Sequence, residues 1–169
     1  VTLMQQANAG KGAAVQAGVK SASGHYVLVQ DADLEYDPAD YPAMLRPFLT
    51  GERVVSYGSR ALGVVGRRGV VFPFPGRHEK QGFGSWLAGI ILSVVVMALY
   101  GRLITDTLTG YKIYPTDWLR SIAVRTRGFE TDHELTAKLI RAGFKIVEVP
   151  VAFYPRTVAE GKKIKAIDG

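Results

Sequence analysis

The chain has 169 residues, 47% of them hydrophobic and 21% charged, with a formal net charge of +6. That is enough apolar content for one domain with a core, and too little charge for wholesale disorder. There is no cysteine, which excludes a disulfide framework, thiolate zinc sites and thiol nucleophiles.

The chain begins at Val1, without an initiator methionine, and a helical pattern follows almost at once. Its last residues, "KKIKAIDG", stop without a terminating feature. We expect a piece of a longer polypeptide that lacks N-terminal strands, so the absence of a signal or anchor here says nothing about the whole.

Residues 10–22, "GKGAAVQAGVKSA", read as a helix, with Ala14, Gly18, Val19 and Ala22 at helical spacing and Gly24 as a stop. "YVLVQD" is a nearly continuous apolar run, the pattern of a strand covered on both faces. Pro38 opens a second helix with Asp37 as its cap, and "RVVSYGS" is the next strand. This alternation predicts an α/β fold with a mostly parallel sheet flanked by helices, whose ligands bind beyond the carboxyl ends of the strands.

Residues 60–83 are rich in Gly, Pro and Arg without periodicity and read as a long, mobile or functional loop. The uncharged run at 85–100 is shorter than the roughly 20 residues a spanning helix needs. It reads as a buried core helix or, because Trp86 and Tyr100 bracket it and Arg67, Arg68 and Arg102 lie near, as a membrane-interface helix. Residues 131–142 are the clearest helix, with Thr131 and Glu134 spaced as a capping box and Gly143 as its end. "KIVEVPVAFY" is extended and broken by Pro150. There is no internal repeat, and residues 1–169 read as a single domain.

The stretch "VLVQDADLEYDPAD" sets Asp31, Asp33, Glu35, Asp37 and Asp40 close together in a basic chain. Crowded carboxylates repel unless water screens them or a cation sits among them. Counted from Asp31, the sixth and twelfth positions are Tyr36 and Pro42, which rules out a calcium loop of the EF-hand kind. "NAGKGAA" lacks P-loop spacing, neither GxSxG nor HExxH occurs, and the three histidines show no ligand spacing. What survives is Asp-Ala-Asp at a strand end, whose hard oxygen donors suit Mg²⁺ or Mn²⁺ shared with a diphosphate. A solvated acidic turn is the plain alternative. Base gathers at Arg60, Arg67, Arg68, Arg77 and Lys80, and again at Arg156, Lys162, Lys163 and Lys165. Such clusters suit a polyanion with a metal, nucleic acid, an anionic membrane, or simply a solvated surface.

In order, "NAGKGAAVQAGVKSASG", "QDADLEYDP", "GSR", "TDTLTGYKIY", "GFETDHELTAKLIRAGFKIVEVPV" and "YPRTVAEGKKI" resemble family 2 glycosyltransferases of the GT-A fold. The branch is that of dolichol-phosphate mannose synthase and bacterial polyprenyl-phosphate glycosyltransferases. The family's first strand, with its Pro-x-Tyr-Asn-Glu motif and acidic nucleotide-binding turn, is absent. A chain with these ends is expected to bind nucleotide poorly, and to be inactive, by itself.

The resemblance implies inverting transfer of a hexose from a UDP- or GDP-sugar, assisted by Mg²⁺ or Mn²⁺. It matches Asp31 and Asp33 to the metal and donor motif, and Glu35 to a position that completes the metal's shell. Lys11 is a candidate for donor phosphate or base. Arg60 and Arg156 match cations that face donor or acceptor phosphate, and Lys162 and Lys163 fall in a basic segment over the site. Asp132 occupies the place of the general base in many members, with Asp106 as the other candidate. For Asp132 the plain alternative is helix N-terminal electrostatics, and for Glu134 the capping box. A hydroxyl acceptor needs a base and a lipid phosphate does not. The surplus of arginine and the apolar helix favour a polyprenyl phosphate at the cytoplasmic face of a membrane, with no role for nucleic acid. The alternatives are a polysaccharide hydroxyl acceptor, a sugar nucleotidyltransferase, and a non-catalytic basic module that binds membrane or nucleic acid.

Overall fold

The computed structural model describes residues 3–68 and 83–156. Helix α1 (Lys11–Ser21) leads into strand β1 (Tyr26–Gln30). Beyond the acidic turn come a 3₁₀ turn at Pro38–Asp40, the short helix α2 (Tyr41–Leu45) and a second 3₁₀ turn at Arg46–Thr50. Asp37 caps the first of these as its position predicts, accepting from the Ala39 N–H at 2.9 Å. Strand β2 (Val54–Ser59) runs directly into α3 (Arg60–Arg68). After α4 (Phe83–Tyr100) come β3 (Tyr111–Pro115), α5 (Thr116–Ser121), α6 (Thr131–Arg141) and β4 (Lys145–Pro150).

The four strands form one mixed sheet in the order β1-β3-β2-β4. β1, β2 and β4 share a direction, as the alternation of helix and strand predicts. β3 runs against them and lies between β1 and β2, so both of its pairings are antiparallel, while β2 and β4 pair in parallel. The carboxyl ends of β1 and β2 and the amino end of β3 therefore meet at one edge.

Alternation along the strands divides the core. Val55, Tyr57 and Tyr114 join Val19, Leu119, Leu135 and Leu139 on the face covered by α1, α5 and α6. Tyr111, Ile113 and Val149 join Tyr36 and Met44 on the other. Leu139 and Met44 are fully buried, each contributing about 2 kcal/mol by leaving water.

Four local expectations change. β1 is only half-buried, because β3 covers one edge and no other described strand covers the second; β2 is the strand buried along its whole length. Residues 60–68 are helical rather than loop. Ser59 Oγ accepts from the Leu62 N–H at 3.0 Å, capping the helix. Gly63 serves close packing there, since a Cβ would lie 2.0 Å from the Val151 carbonyl oxygen. The rest of the expected loop, 69–82, lies outside the described residues.

The capping box is not formed either. Thr131 makes no cap; Glu130 precedes α6, and Glu134 turns away to accept from the N–H groups of Arg125 and Thr126 and from Thr126 Oγ1. Finally, α4 is a core helix on one side alone. Ser93 and Val96 are buried, while Leu87, Ile91, Val94, Val95 and Leu99 face outward. Among the described residues no helix is long and apolar enough to cross a membrane.

Candidate active site

The acidic turn begins where β1 ends. The Asp31 N–H donates to the Gly110 carbonyl at 3.2 Å, tying the turn to the segment that precedes β3. The absence of a side chain at Gly110 lets the Asp31 carboxylate lie over it, for a Cβ there would stand 2.0 Å from Oδ2. Asp33 Oδ1 accepts from the Glu35 N–H at 3.2 Å, folding the turn on itself around Leu34, whose φ is +63°.

Each carboxylate has a cation beside it. Lys11, at the start of α1, places Nζ 3.4 Å from Asp31 Oδ1 and 3.2 Å from Asp132 Oδ2. Arg156 places Nη2 3.5 Å from Asp33 Oδ2 and Nε 3.6 Å from Glu35 Oε1. Its backbone N–H also donates to Glu35 at 2.9 Å, so Glu35 is bound to the segment after β4. Arg60, following β2, holds Asp106 by Nε and Nη2 at 2.7 Å each. Acid and base thus converge from six places in the chain. Lys162 and Lys163 lie outside the described residues.

The floor of this cluster contains two residues that sequence reasoning missed. Lys112 on β3 is almost wholly buried; its Nζ donates to Asp132 Oδ1 at 2.5 Å and to the Thr107 carbonyl at 2.9 Å. Glu148 on β4 accepts from the Thr105 and Asp106 N–H groups at 2.9 and 3.0 Å and from Thr105 Oγ1 at 2.7 Å. Lysine in the otherwise apolar "YKIY" and glutamate in "KIVEVP" were the available signals, because a charge inside a buried strand requires a partner.

Burial works to raise the Asp132 carboxyl, but Lys112 and then Lys11 outweigh it and hold the group below its ordinary range. Burial lowers the Lys112 ammonium, against the pull of Asp132. For Arg60, burial is outweighed by Asp106, with Asp31 adding to the rise. Burial raises Glu148, and the hydrogen bonds from Thr105 only moderate this. Both candidate bases, Asp132 and Asp106, are therefore carboxylates already engaged by cations.

Among the described residues no three His, Asp or Glu side chains gather closely enough to hold an ion by themselves. Asp31 and Asp33 offer hard oxygen donors, and the Asp31 side chain is 40% exposed. That donor set fits Mg²⁺ or Mn²⁺ if diphosphate and water fill the remaining positions.

A mixed sheet with β3 reversed and an acid pair at the end of β1 is the GT-A fold of glycosyltransferases. The glycosyl transferase family 2 profile matches residues 1–103, and the chain belongs to that family. Undecaprenyl-phosphate mannosyltransferase of Micrococcus luteus is 33% identical over 150 residues, 86% of this chain and 56% of that protein. Glycosyltransferase AglJ of Haloferax volcanii is 26% identical over 153 residues, 89% of this chain and 46% of its own length. The chain thus spans about half the length of these relatives. Among solved structures, glucosyl-3-phosphoglycerate synthase from Mycobacterium tuberculosis superposes with a TM-score of 0.62. It is 18% identical, with 92% of this chain and 51% of that one covered, a likeness of fold.

Proposed function

We propose that the protein transfers a hexose from a nucleotide-sugar donor to a polyprenyl phosphate, with inversion at the anomeric carbon. The observation that carries the choice of acceptor is the state of the two candidate bases. Asp132 lies between Lys112 and Lys11, and Asp106 is gripped by Arg60. A carboxylate whose oxygens are both turned to cations has none aimed at an incoming hydroxyl, whereas a lipid phosphate is already ionised and needs only cations to position it. The similarity to a protein named undecaprenyl-phosphate mannosyltransferase supports the same reading.

In the reaction, a phosphate oxygen of the acceptor attacks the anomeric carbon as the bond from that carbon to the nucleoside diphosphate breaks. Arg60 and Arg156 orient the acceptor phosphate, and Lys11 meets the departing diphosphate. A Mg²⁺ or Mn²⁺ held by Asp31 and Asp33 would neutralise charge developing on the leaving group. The outward face of α4 lies at a bilayer surface, where it brings the site to an acceptor that cannot leave the lipid. The position is the cytoplasmic side of the membrane, peripheral or anchored by segments outside these residues.

The test is transfer of labelled hexose by the full-length protein from UDP- and GDP-sugars, with Mn²⁺, to polyprenyl phosphate in detergent or vesicles. A chloroform-soluble, acid-labile polyprenyl-phosphate hexose is the expected product. Label passing only to polysaccharide, with none in lipid, would replace this reading with a hydroxyl acceptor.

A further inference from the structure

The geometry points to Lys112 as a positioning residue: by neutralising Asp132 from below, it keeps Lys11 free to engage the diphosphate of the donor. This rests on the function just proposed. Lys112 rises from the sheet and takes Asp132 Oδ1, so that Oδ2 alone remains for Lys11. Lys11 stands between that oxygen and Asp31, at 3.2 and 3.4 Å. An incoming diphosphate competes with both carboxylates for this ammonium. The competition is easier when the charge of Asp132 is already shared with a second cation at closer range.

Stability gives little reason for a lysine at this place. A buried ion pair is often no more stable than apolar residues of the same volume, because both charges must leave water. Nor does Lys112 reach the donor itself, since only 2% of its side chain is exposed. Its second bond, to the Thr107 carbonyl at 2.9 Å, fixes the ammonium between α6 and the segment before β3. The side chain is therefore held where it acts on Lys11 only through Asp132.

The measurement is calorimetric affinity of the full-length protein for UDP and GDP with Mn²⁺, which needs no turnover, beside the donor KM and kcat. Lys112→Met should weaken diphosphate binding about tenfold or more, the scale of one charge-assisted hydrogen bond, with kcat changed much less. Lys112→Arg should bind within a few-fold of wild type. Adding Asp132→Asn to Lys112→Met removes the excess negative charge that traps Lys11, and should restore most of the lost affinity. Two merely structural lesions would instead add. If Lys112→Met does not fold, Lys112→Gln takes its place, keeping a donor without the charge. Wild-type affinity in the folded single variant, or a double variant no better than the single, overturns the assignment. Should the wild type bind diphosphate yet transfer no hexose, the proposed function fails while the Lys112 result still stands or falls by these affinities.

Discussion

Arg60 grips Asp106 through three donors, Nε and Nη2 at 2.7 Å each and its own backbone N–H at 3.0 Å. A fork of this kind fixes the plane of the guanidinium, whose carbon lies 5.1 Å from the centre of the Phe153 ring. Arg60→Lys keeps the charge and loses the fork. The KM for lipid phosphate should rise about tenfold, and Arg60→Ala should cost more. Steady-state kinetics against both substrates checks this; a rise confined to the donor KM would assign Arg60 to the donor.

Gly110 tests the metal motif without touching a ligand. Because its Cβ would stand 2.0 Å from Asp31 Oδ2, Gly110→Ala must displace that carboxylate. Mn²⁺ affinity, read by electron paramagnetic resonance, should fall as far as it does in Asp31→Asn. Circular dichroism should show both variants folded. Tight Mn²⁺ binding in either variant removes Asp31 from the metal.

Asp132→Asn separates the two acceptor chemistries. General-base assistance is typically worth about 10²–10⁴ in rate, and a hydroxyl acceptor would lose that much turnover. With an ionised phosphate as nucleophile, kcat should fall by less than about tenfold. A collapse of kcat at unchanged donor KM would restore Asp132 as a base and move the acceptor to a saccharide hydroxyl.

Glu134 gives a pH signature in stability. Burial works to raise it, but Lys138, Thr126 and the N–H of Arg125 outweigh this and hold it at about 2, against an ordinary 4.5. A folded-state value below the unfolded one means that its stabilisation is full above pH 4.5 and fades as pH falls toward 2. Wild type should therefore melt above Glu134→Gln at pH 7, with the gap closing through that window. A gap that is constant from pH 7 to 2 would show that the carboxylate charge is not what holds residues 125–126.

For α4, the outward apolar face predicts binding of the full-length protein to anionic vesicles. Ile91→Glu and Val95→Glu, at exposed positions, should abolish sedimentation with the vesicles while the melting temperature stays within a few degrees. Unfolding of both variants, with a wild type that ignores vesicles, would make this face an internal contact of the longer protein.

The acid pair was legible because it follows directly on an apolar run, and that adjacency survives folding unchanged. The same holds for α1 and for α6, whose periodicities are local. Local reasoning failed where a side chain answers to something distant. Gly63 looks like a loop residue until Val151 packs against it. Glu134 has the spacing of a capping box, yet the 125–126 backbone captures it. Lys112 and Glu148 are ordinary charges in sequence, and only the sheet reveals that one lies beneath Asp132 and the other beneath Thr105 and Asp106. The cations Arg60 and Arg156 could be named, but which carboxylate each would face could not, because the partners lie 46 residues apart in one pair and 121 in the other.

The reversal of β3 also governs when the site can come into being. Gln30 pairs with Tyr111, and the Asp31 N–H waits for the Gly110 carbonyl, so the acidic turn stays unanchored until the chain has closed a loop spanning both residues. Contacts of such long range are slow to form, since the entropy of closure is lost before any bond repays it. During synthesis, β1 and the acid pair leave the ribosome well before their partner strand. The nascent chain would then carry its carboxylates in solvent, able to meet ions but not to hold them in a shape fit for catalysis. Competence is acquired late, only after β3 has slotted between β1 and β2 and the chain has delivered Asp132 and Arg156 beside them.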